Sequence, residues 1–286
     1  SIHQDLAASV QKVYEEILFE VLKTVSIISV RPNLCLSGGC AYNGTANGKI
    51  VGNSLFQHLW IPPAPSDAGS AIGAVVNYLV KERKIKNKIT KNPFLGPEYF
   101  YDDIQKSIKG LKYKNFTTEK GLMRYVAKKI NEGGVVGWFS GHIEFGSRAL
   151  GNRSILANPT LPNMKDRINK VIKKREGFRP FAPMVTKEKQ HDFFEMTDDV
   201  PYMNQVVQVK PQFRDILKAV THVDGSARVQ TVYKNTLIYK LLEEFELVSG
   251  YPILLNTSFN VKDKTMVLTP KDAIDTFFDT EMDILV

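Results

Sequence analysis

Leu6, Val10, Val13, Ile17 and Val21 recur every three to four positions among polar side chains, which predicts one amphipathic helix over the first two dozen residues. Such a stripe needs covering, so a partner is expected from elsewhere in this chain or from a further segment. The pattern then changes. ISVRPNLCLSGGC is an apolar run that stops on Gly38 and Gly39, and AYNGTANGKI after it reads as helix, giving strand, glycine turn, helix. LWIPPAP closes a second short strand, and SDAGSAIGAVVNYLV opens a helix whose Gly69, Ala71, Gly73 and Ala74 would admit a close neighbour. Between Lys81 and Lys91 six basic residues replace the periodicity, and NPFLGP follows. A domain boundary is placed there, near residue 95, with the basic run read as a solvated helix end and linker.

Beyond it, GLMRYVAKKINEG predicts a helix and VVGWF a strand. NMKDRINKVIKKREG predicts a helix from an Asn163 N-cap to a Gly177 stop, with Met164, Ile168 and Ile172 on one face. Lys173, Lys174 and Arg175 fall in its expected last turn. YPILLNTSFN reads as a buried strand entering a polar turn. Strands alternating with helices give an α/β class, divided into residues 1–95 and 96–286.

Composition narrows the picture only slightly. With 286 residues, 43% hydrophobic and 24% charged, the chain is of ordinary globular character and long enough for two domains. No apolar run approaches the ~20 residues of a membrane-spanning helix. The start lacks a basic segment followed by an apolar one, so no signal peptide is expected, and the absence of an initial Met suggests a fragment. Cys35 and Cys40 are too few for a disulfide framework or a complete zinc site, and a reduced, cytoplasmic setting is expected.

Charge is more informative. The net charge is +8, and residues 146 to 179 hold nine Lys and Arg against two acids. The segment EFGSRALGNRSI brings Arg148 and Arg153 to a glycine-rich turn after an apolar run. Each guanidinium offers a planar fork to phosphate or carboxylate, so an anion between them is expected. Lys173, Arg175, Arg179 and Arg228 are further candidates, whereas Lys174 suits the dipole at a helix end. Arg179, between Phe178 and Pro180, is expected to have an anionic partner. Asn256, Ser258 and Asn260 supply amide and hydroxyl groups at a strand end, either for a ligand or for their own turn. Asp67 at a helix start either caps the helix or ligates a metal. The five His show no metal-binding spacing, and no GxSxG elbow is present, so catalysis by positioning and charge neutralisation fits better than covalent catalysis.

Five ordered blocks, LSGGCAYNGTANGKI, PPAPSDAGSAIGA, GHIEFGSRALGNRSILANP, INKVIKKREGFRPFAPMV and PILLNTSFNV, resemble the O-carbamoyltransferases of the NodU/CmcH family. The resemblance implies the second half of an actin-like ATPase-fold (ASKHA) transferase domain, followed by a YrdC-like α/β domain with an open twisted sheet. It implies that carbamoyl phosphate and ATP form a carbamoyl-adenylate, with Mg²⁺, and that the carbamoyl group passes to a hydroxyl of a small molecule. Lys173 with Arg175 and Ser258 with Asn260 match the KxR and SxN signatures of YrdC-like domains. Lys173, Arg148 and Arg228 would then be catalytic, and Arg153, Arg175, Arg179, Asn256, Ser258 and Asn260 would bind carbamoyl phosphate and ATP. Gly38, Gly39 and Asn43 match a nucleotide-binding turn, and Asp67 a ligand of a divalent metal such as iron. The remaining partners implied are an N-terminal half of the same protein and, alternatively, a second copy. His142 and Ser147 depart from a pattern in which Arg and Pro are frequent, which puts loop rigidity and one cationic contact in question. A tRNA-modifying or RNA-binding YrdC-like protein is the alternative, disfavoured by the few aromatics near the basic segment.

Overall fold

In chain order the computed structural model contains α1 (Ile2–Ser29), β1 (Asn33–Cys35), α2 (Gly44–Ile50), β2 (His58–Trp60), α3 (Asp67–Glu82), α4 (Tyr101–Ser107), α5 (Glu119–Asn131), β3 (Val136–Phe139) and β4 (Arg153–Ala157). There follow α6 (Met164–Arg167), β5 (Ala182–Thr186), α7 (Gln190–Phe193), β6 (Phe194–Glu195), β7 (Val207–Val209), β8 (Ser226–Ala227), β9 (Gln230–Val232), α8 (Leu237–Ser249), β10 (Ile253–Ser258), α9 (Pro270–Phe278) and β11 (Ile284–Leu285). Residues 1–53, 55–83 and 91–286 are described; most of the expected basic linker, residues 84–90, lies outside them.

The larger part is built on a six-stranded sheet ordered β11-β3-β4-β10-β5-β9, antiparallel in its middle and parallel at both ends. Strand alternation sends Leu156, Met184 and Leu254 to one face, where α5 and α8 cover them with Met123, Val126, Ile130, Leu241 and Phe245. Ile155, Val185, Ile253 and Leu255 face the other way, against Ile168, Ile172 and the small β6-β7-β8 sheet. Thr118 and Thr236 cap α5 and α8 by accepting from Gly121 N and Tyr239 N, and Gly250 ends α8 in the left-handed region. Each fully buried Leu, Ile or Phe contributes about 1.5–3 kcal/mol, so these two faces supply most of the driving force.

The first 83 residues form a smaller unit around the parallel pair β1–β2. Helix α1 forms as expected but buries a different face. Leu18, Phe19 and Leu22 pack on Ala41, Ile50, Phe56, Leu59 and Ile61, while Leu6, Val10, Val13, Ile17 and Val21 stay 52–62% exposed. Helix α3 likewise exposes Val75, Tyr78 and Val80 and has no buried residue. The smaller unit docks through polar side chains and backbone groups. Asn47 donates to Ala41 O and Asn204 O, both at 2.8 Å, and Asn204 returns a bond to Ile61 O at 3.1 Å. His58 Nδ1 donates to Asp198 Oδ1 at 2.7 Å, and Asp198 Oδ2 accepts from Leu59 N. A Cβ at Gly48 would lie 1.8 Å from Val206 O, so this approach requires glycine. Between the two units lies a cavity of about 700 Å³ that includes Trp60, Phe94, Tyr202 and Tyr233 in its lining. Among the described residues no helix is long and apolar enough to cross a membrane.

Candidate active site

The connection between β3 and β4 carries the glycine-rich turn, and one carboxylate organises it. Glu144 Oε1 accepts from the backbone N–H groups of Leu150 and Asn152, both at 2.7 Å, and of Arg153 at 3.2 Å. Three peptide donors on one oxygen fold residues 144–153 into a compact loop, with Glu144 itself buried. Arg153 is also buried and does not reach an anion site. Its guanidinium donates to the carbonyls of Ser140 (2.7 Å), Asn152 (3.0 Å) and Gly141 (3.1 Å) and stacks on Phe139. The expectation that Arg148 and Arg153 converge on one anion is therefore corrected. Main-chain carbonyls engage Arg153, and only Arg148 projects onward.

The expected helix over 163–177 is shorter than its pattern. After Arg167 the chain winds into a π turn, Ile168–Ile172, closed by Lys173 N on Ile168 O at 2.8 Å. Lys174 follows with φ 49°, in the left-handed region, so the chain reverses there instead of continuing to Gly177. Lys174 is exposed and outside the helix, which overturns its reading as a dipole-complementing cation. The reversal turns Lys173 and Arg175 inward. Arg175 Nε donates to Asn169 Oδ1 at 2.7 Å, and its guanidinium lies over the Phe181 ring.

These elements meet at a cleft of about 120 Å³ at the end of β10. Arg148, Arg175 and Arg228 line it together with Asn256 and Ser258, and the described lining residues include no carboxylate. Nε of both Arg148 and Arg228 is buried without a protein partner. Burial, with Arg148 and Arg175 nearby, pushes the Arg228 guanidinium down to about 9. Burial also lowers Arg148 and Arg175, the latter with help from Arg179. Three partly desolvated cations, with Glu176 near Arg175 but no carboxylate lining the cleft, are a costly arrangement that an anion relieves.

Lys173 does not line the cleft; it stands behind Ser258. Its Nζ lies within hydrogen-bond distance of Asn260 Oδ1 (2.7 Å), Asn260 O (3.0 Å) and both oxygens of Ser258, which share its N–H donors. Ser258 Oγ in turn donates to Asn260 Oδ1 at 2.7 Å. The two signature pairs, far apart in sequence, are thus joined directly, and Lys173 holds the turn that presents Ser258. Burial and the neighbouring Arg175 push its amine down to about 7. Arg179 sits exposed, and the anionic partner expected for it is Glu176, at 3.0 Å.

The other expected site residues lie in the smaller unit, outside the cleft. Gly38 takes φ 105° and leads into a 3-10 turn over Gly39–Tyr42, with open space around both glycines. Asn43 caps α2 by accepting from Ala46 N and is bonded to Gln11. Asp67 is exposed in the first turn of α3, and among the described residues no group of three or more His, Cys, Asp or Glu could hold a metal. Tyr42 links the two units at the site, because the Arg148 guanidinium lies 5.7 Å from its ring centre. Sequence reasoning missed Tyr42, Glu144, Asn169 and Gln230. A buried-helix Asn such as Asn169, flanked by Ile168 and Ile172, is the kind of signal that could have found one of them.

A half-buried cluster of guanidinium groups, with no carboxylate among the described lining residues, thus gathers at one end of the mixed sheet of an α/β protein. The carbamoyltransferase C-terminus family matches residues 127–286 and the carbamoyltransferase N-terminus family residues 1–76, so the chain belongs to the carbamoyltransferases, a family of transferase enzymes. It is 42% identical to the nodulation protein NolNO of Sinorhizobium fredii, over 99% of this chain and 43% of that one. It is 39% identical to the nodulation protein NolO of Bradyrhizobium diazoefficiens, over 99% of this chain and 53% of that one. A protein of Synechocystis, sll1178, is 40% identical over 99% and 51%. The chain thus spans about half the length of these relatives. Among solved structures, full-length HypF in its phosphate- and nucleotide-bound form gives a TM-score of 0.43 at 18% identity, covering 58% of this chain and 20% of HypF. YciO of E. coli gives 0.41 at 14% identity, covering 58% and 77%.

Proposed function

We propose that this chain is part of an ATP-dependent O-carbamoyltransferase and that its cleft binds carbamoyl phosphate for activation. The observation that carries the reading is the triad Arg148, Arg175 and Arg228, half-buried around a cleft of about 120 Å³ whose described lining includes no carboxylate. Residues 96–286 would be the YrdC-like, adenylate-forming domain, and residues 1–95 the second half of an ASKHA-like transferase domain. Carbamoyl phosphate, ATP and water would yield carbamoyl-adenylate, phosphate and pyrophosphate. Water attacks the phosphorus of carbamoyl phosphate, and the bond to the carbamoyl oxygen breaks to give carbamate and phosphate; a carbamate oxygen then attacks the α-phosphorus of ATP, and the bond to the β-phosphate breaks with its electron pair leaving on pyrophosphate. The carbamoyl carbon then passes to an acceptor hydroxyl, and AMP departs.

The chain's contribution to the first step is electrostatic. Two polyanions repel, and Arg148, Arg175 and Arg228 offset that repulsion in a cleft whose cations are already in place. Ser258, set by Lys173 and Asn260, places a hydroxyl at the cleft, and Arg179 places a cation outside the cleft for the triphosphate. The lining offers no carboxylate for Mg²⁺, which would arrive on ATP and neutralise its phosphates. Asp67 alone does not make a metal centre. The uncovered stripe of α1 fits a further segment of a longer protein better than a second copy, since the relatives are about twice as long. A cleft of this size suits a metabolite more than an RNA backbone.

The test is exchange of labelled pyrophosphate into ATP, which should require carbamoyl phosphate. Arg148→Ala should slow it by about 10²–10³, and Lys173→Ala should also reduce it. Exchange unaffected by Arg148→Ala would remove the site assignment. Salt-sensitive binding of generic RNA without any exchange would support the RNA-binding alternative instead.

A further inference from the structure

One group at the cleft is not explained by its cations. Asn256, on β10 and only 1% exposed, lines the cleft on the same sheet face as Leu254. Its Nδ2 donates to Ala149 O at 3.0 Å and to Gln230 Oε1 at 2.8 Å. Gln230, on β9 and 4% exposed, donates in turn from Nε2 to Leu150 O at 2.8 Å. A main-chain carbonyl only accepts, so both amides are fixed in orientation. Turning Asn256 over would press its oxygen against two other oxygens. The consequence is that Asn256 Oδ1 is a buried acceptor with no protein partner, at a cleft otherwise furnished with donors. An ionised phosphate oxygen cannot satisfy it, because that oxygen only accepts. A ligand that meets both demands with its phosphate fully ionised is an anion carrying its own N–H.

We propose that Asn256 Oδ1 reads the amino group of carbamoyl phosphate, and that Gln230 is a positioning residue that locks the reading amide. This rests on the carbamoyl-phosphate reading of the cleft and deepens it. Guanidinium groups recognise the phosphate that all acyl phosphates share, so charge does not separate carbamoyl phosphate from acetyl phosphate. The two have the same shape, with methyl replacing amino. Methyl offers Oδ1 no hydrogen, and the acceptor stays unmet. A site built to pair with an N–H discriminates strongly against an analogue that lacks it.

Calorimetric titration of the 286-residue chain with carbamoyl phosphate, acetyl phosphate and inorganic phosphate tests this. Carbamoyl phosphate should bind about 10–100-fold more tightly than acetyl phosphate. Asn256→Ala should erase most of that ratio, with a much smaller loss for inorganic phosphate. Gln230→Leu should lower the ratio as well, which a purely structural role would not do. Equal affinity for the two acyl phosphates overturns the proposal, and that comparison needs no variant to fold. Persistence of the ratio in a folded Asn256→Ala chain overturns it too. If carbamoyl phosphate supports exchange while acetyl phosphate competes equally, only this inference falls. If neither acyl phosphate nor phosphate binds, the carbamoyl-phosphate reading fails and takes this inference with it.

Discussion

Burial of Lys173 beside Arg175 lowers its amine to about 7, and the direction sets a pH dependence. Between that value and the ordinary lysine value the unfolded chain holds more protons than the folded one, so stability rises with pH across the window. Below about 7 both states are protonated and the cost of the buried charge is present in full. The gain is at most about 1.4 kcal/mol per pH unit, reduced by the oxygens around Nζ, which favour the ammonium. Urea unfolding of the unliganded chain at pH 6.5, 7.5 and 8.5 should show this rise, and Lys173→Met should flatten it. Anions act oppositely, since they hold the proton on, so affinity for sulfate should fall as pH climbs above 7. At this scale the sequence listed the cations but could not place them. Arg148 and Arg153 are chemically identical forks five positions apart, and only the Glu144-organised loop sends one to the cleft and the other to backbone carbonyls.

Elements show where periodicity suffices and where it does not. Helix α5 follows its apolar spacing because one face lies on the core, and strands β3 and β10 read as near-continuous apolar runs because core covers both of their faces. Helix α1 follows it in conformation but not in burial. Its sequence carries two apolar rows, and the smaller unit offers a partner only to the row containing Leu22. Leu22→Ala should therefore cost about 2–5 kcal/mol of that unit's stability, whereas Val10→Lys with Ile17→Lys should change it by no more than about 0.5 kcal/mol per substitution. Denaturation of the same 286-residue chain decides between them. A large loss from the lysine pair would mean that the stripe is covered within this chain. The π turn at Ile168–Ile172 was invisible in sequence, because its pattern, Met164, Ile168 and Ile172, is that of an ordinary helix.

Across the whole molecule the two units are joined where α2 meets residues 204–206, through Asn47, Asn204 and the backbone. Gly48→Ala places a methyl where Val206 O already lies, so the units should separate locally. Hydrogen exchange should then quicken at residues 41–61 and 198–206 while the α5 and α8 amides stay protected, and uniform protection would refute the docking described. By itself the sequence determined the α/β class, the family, most helices and strands, and the inventory of cations, because those depend on local spacing and on side-chain chemistry. Only the tertiary structure decided which cations share a cavity, which face of α1 is covered, and which way Asn256 is turned. Each of those depends on groups tens or hundreds of residues apart, whose meeting no local pattern encodes.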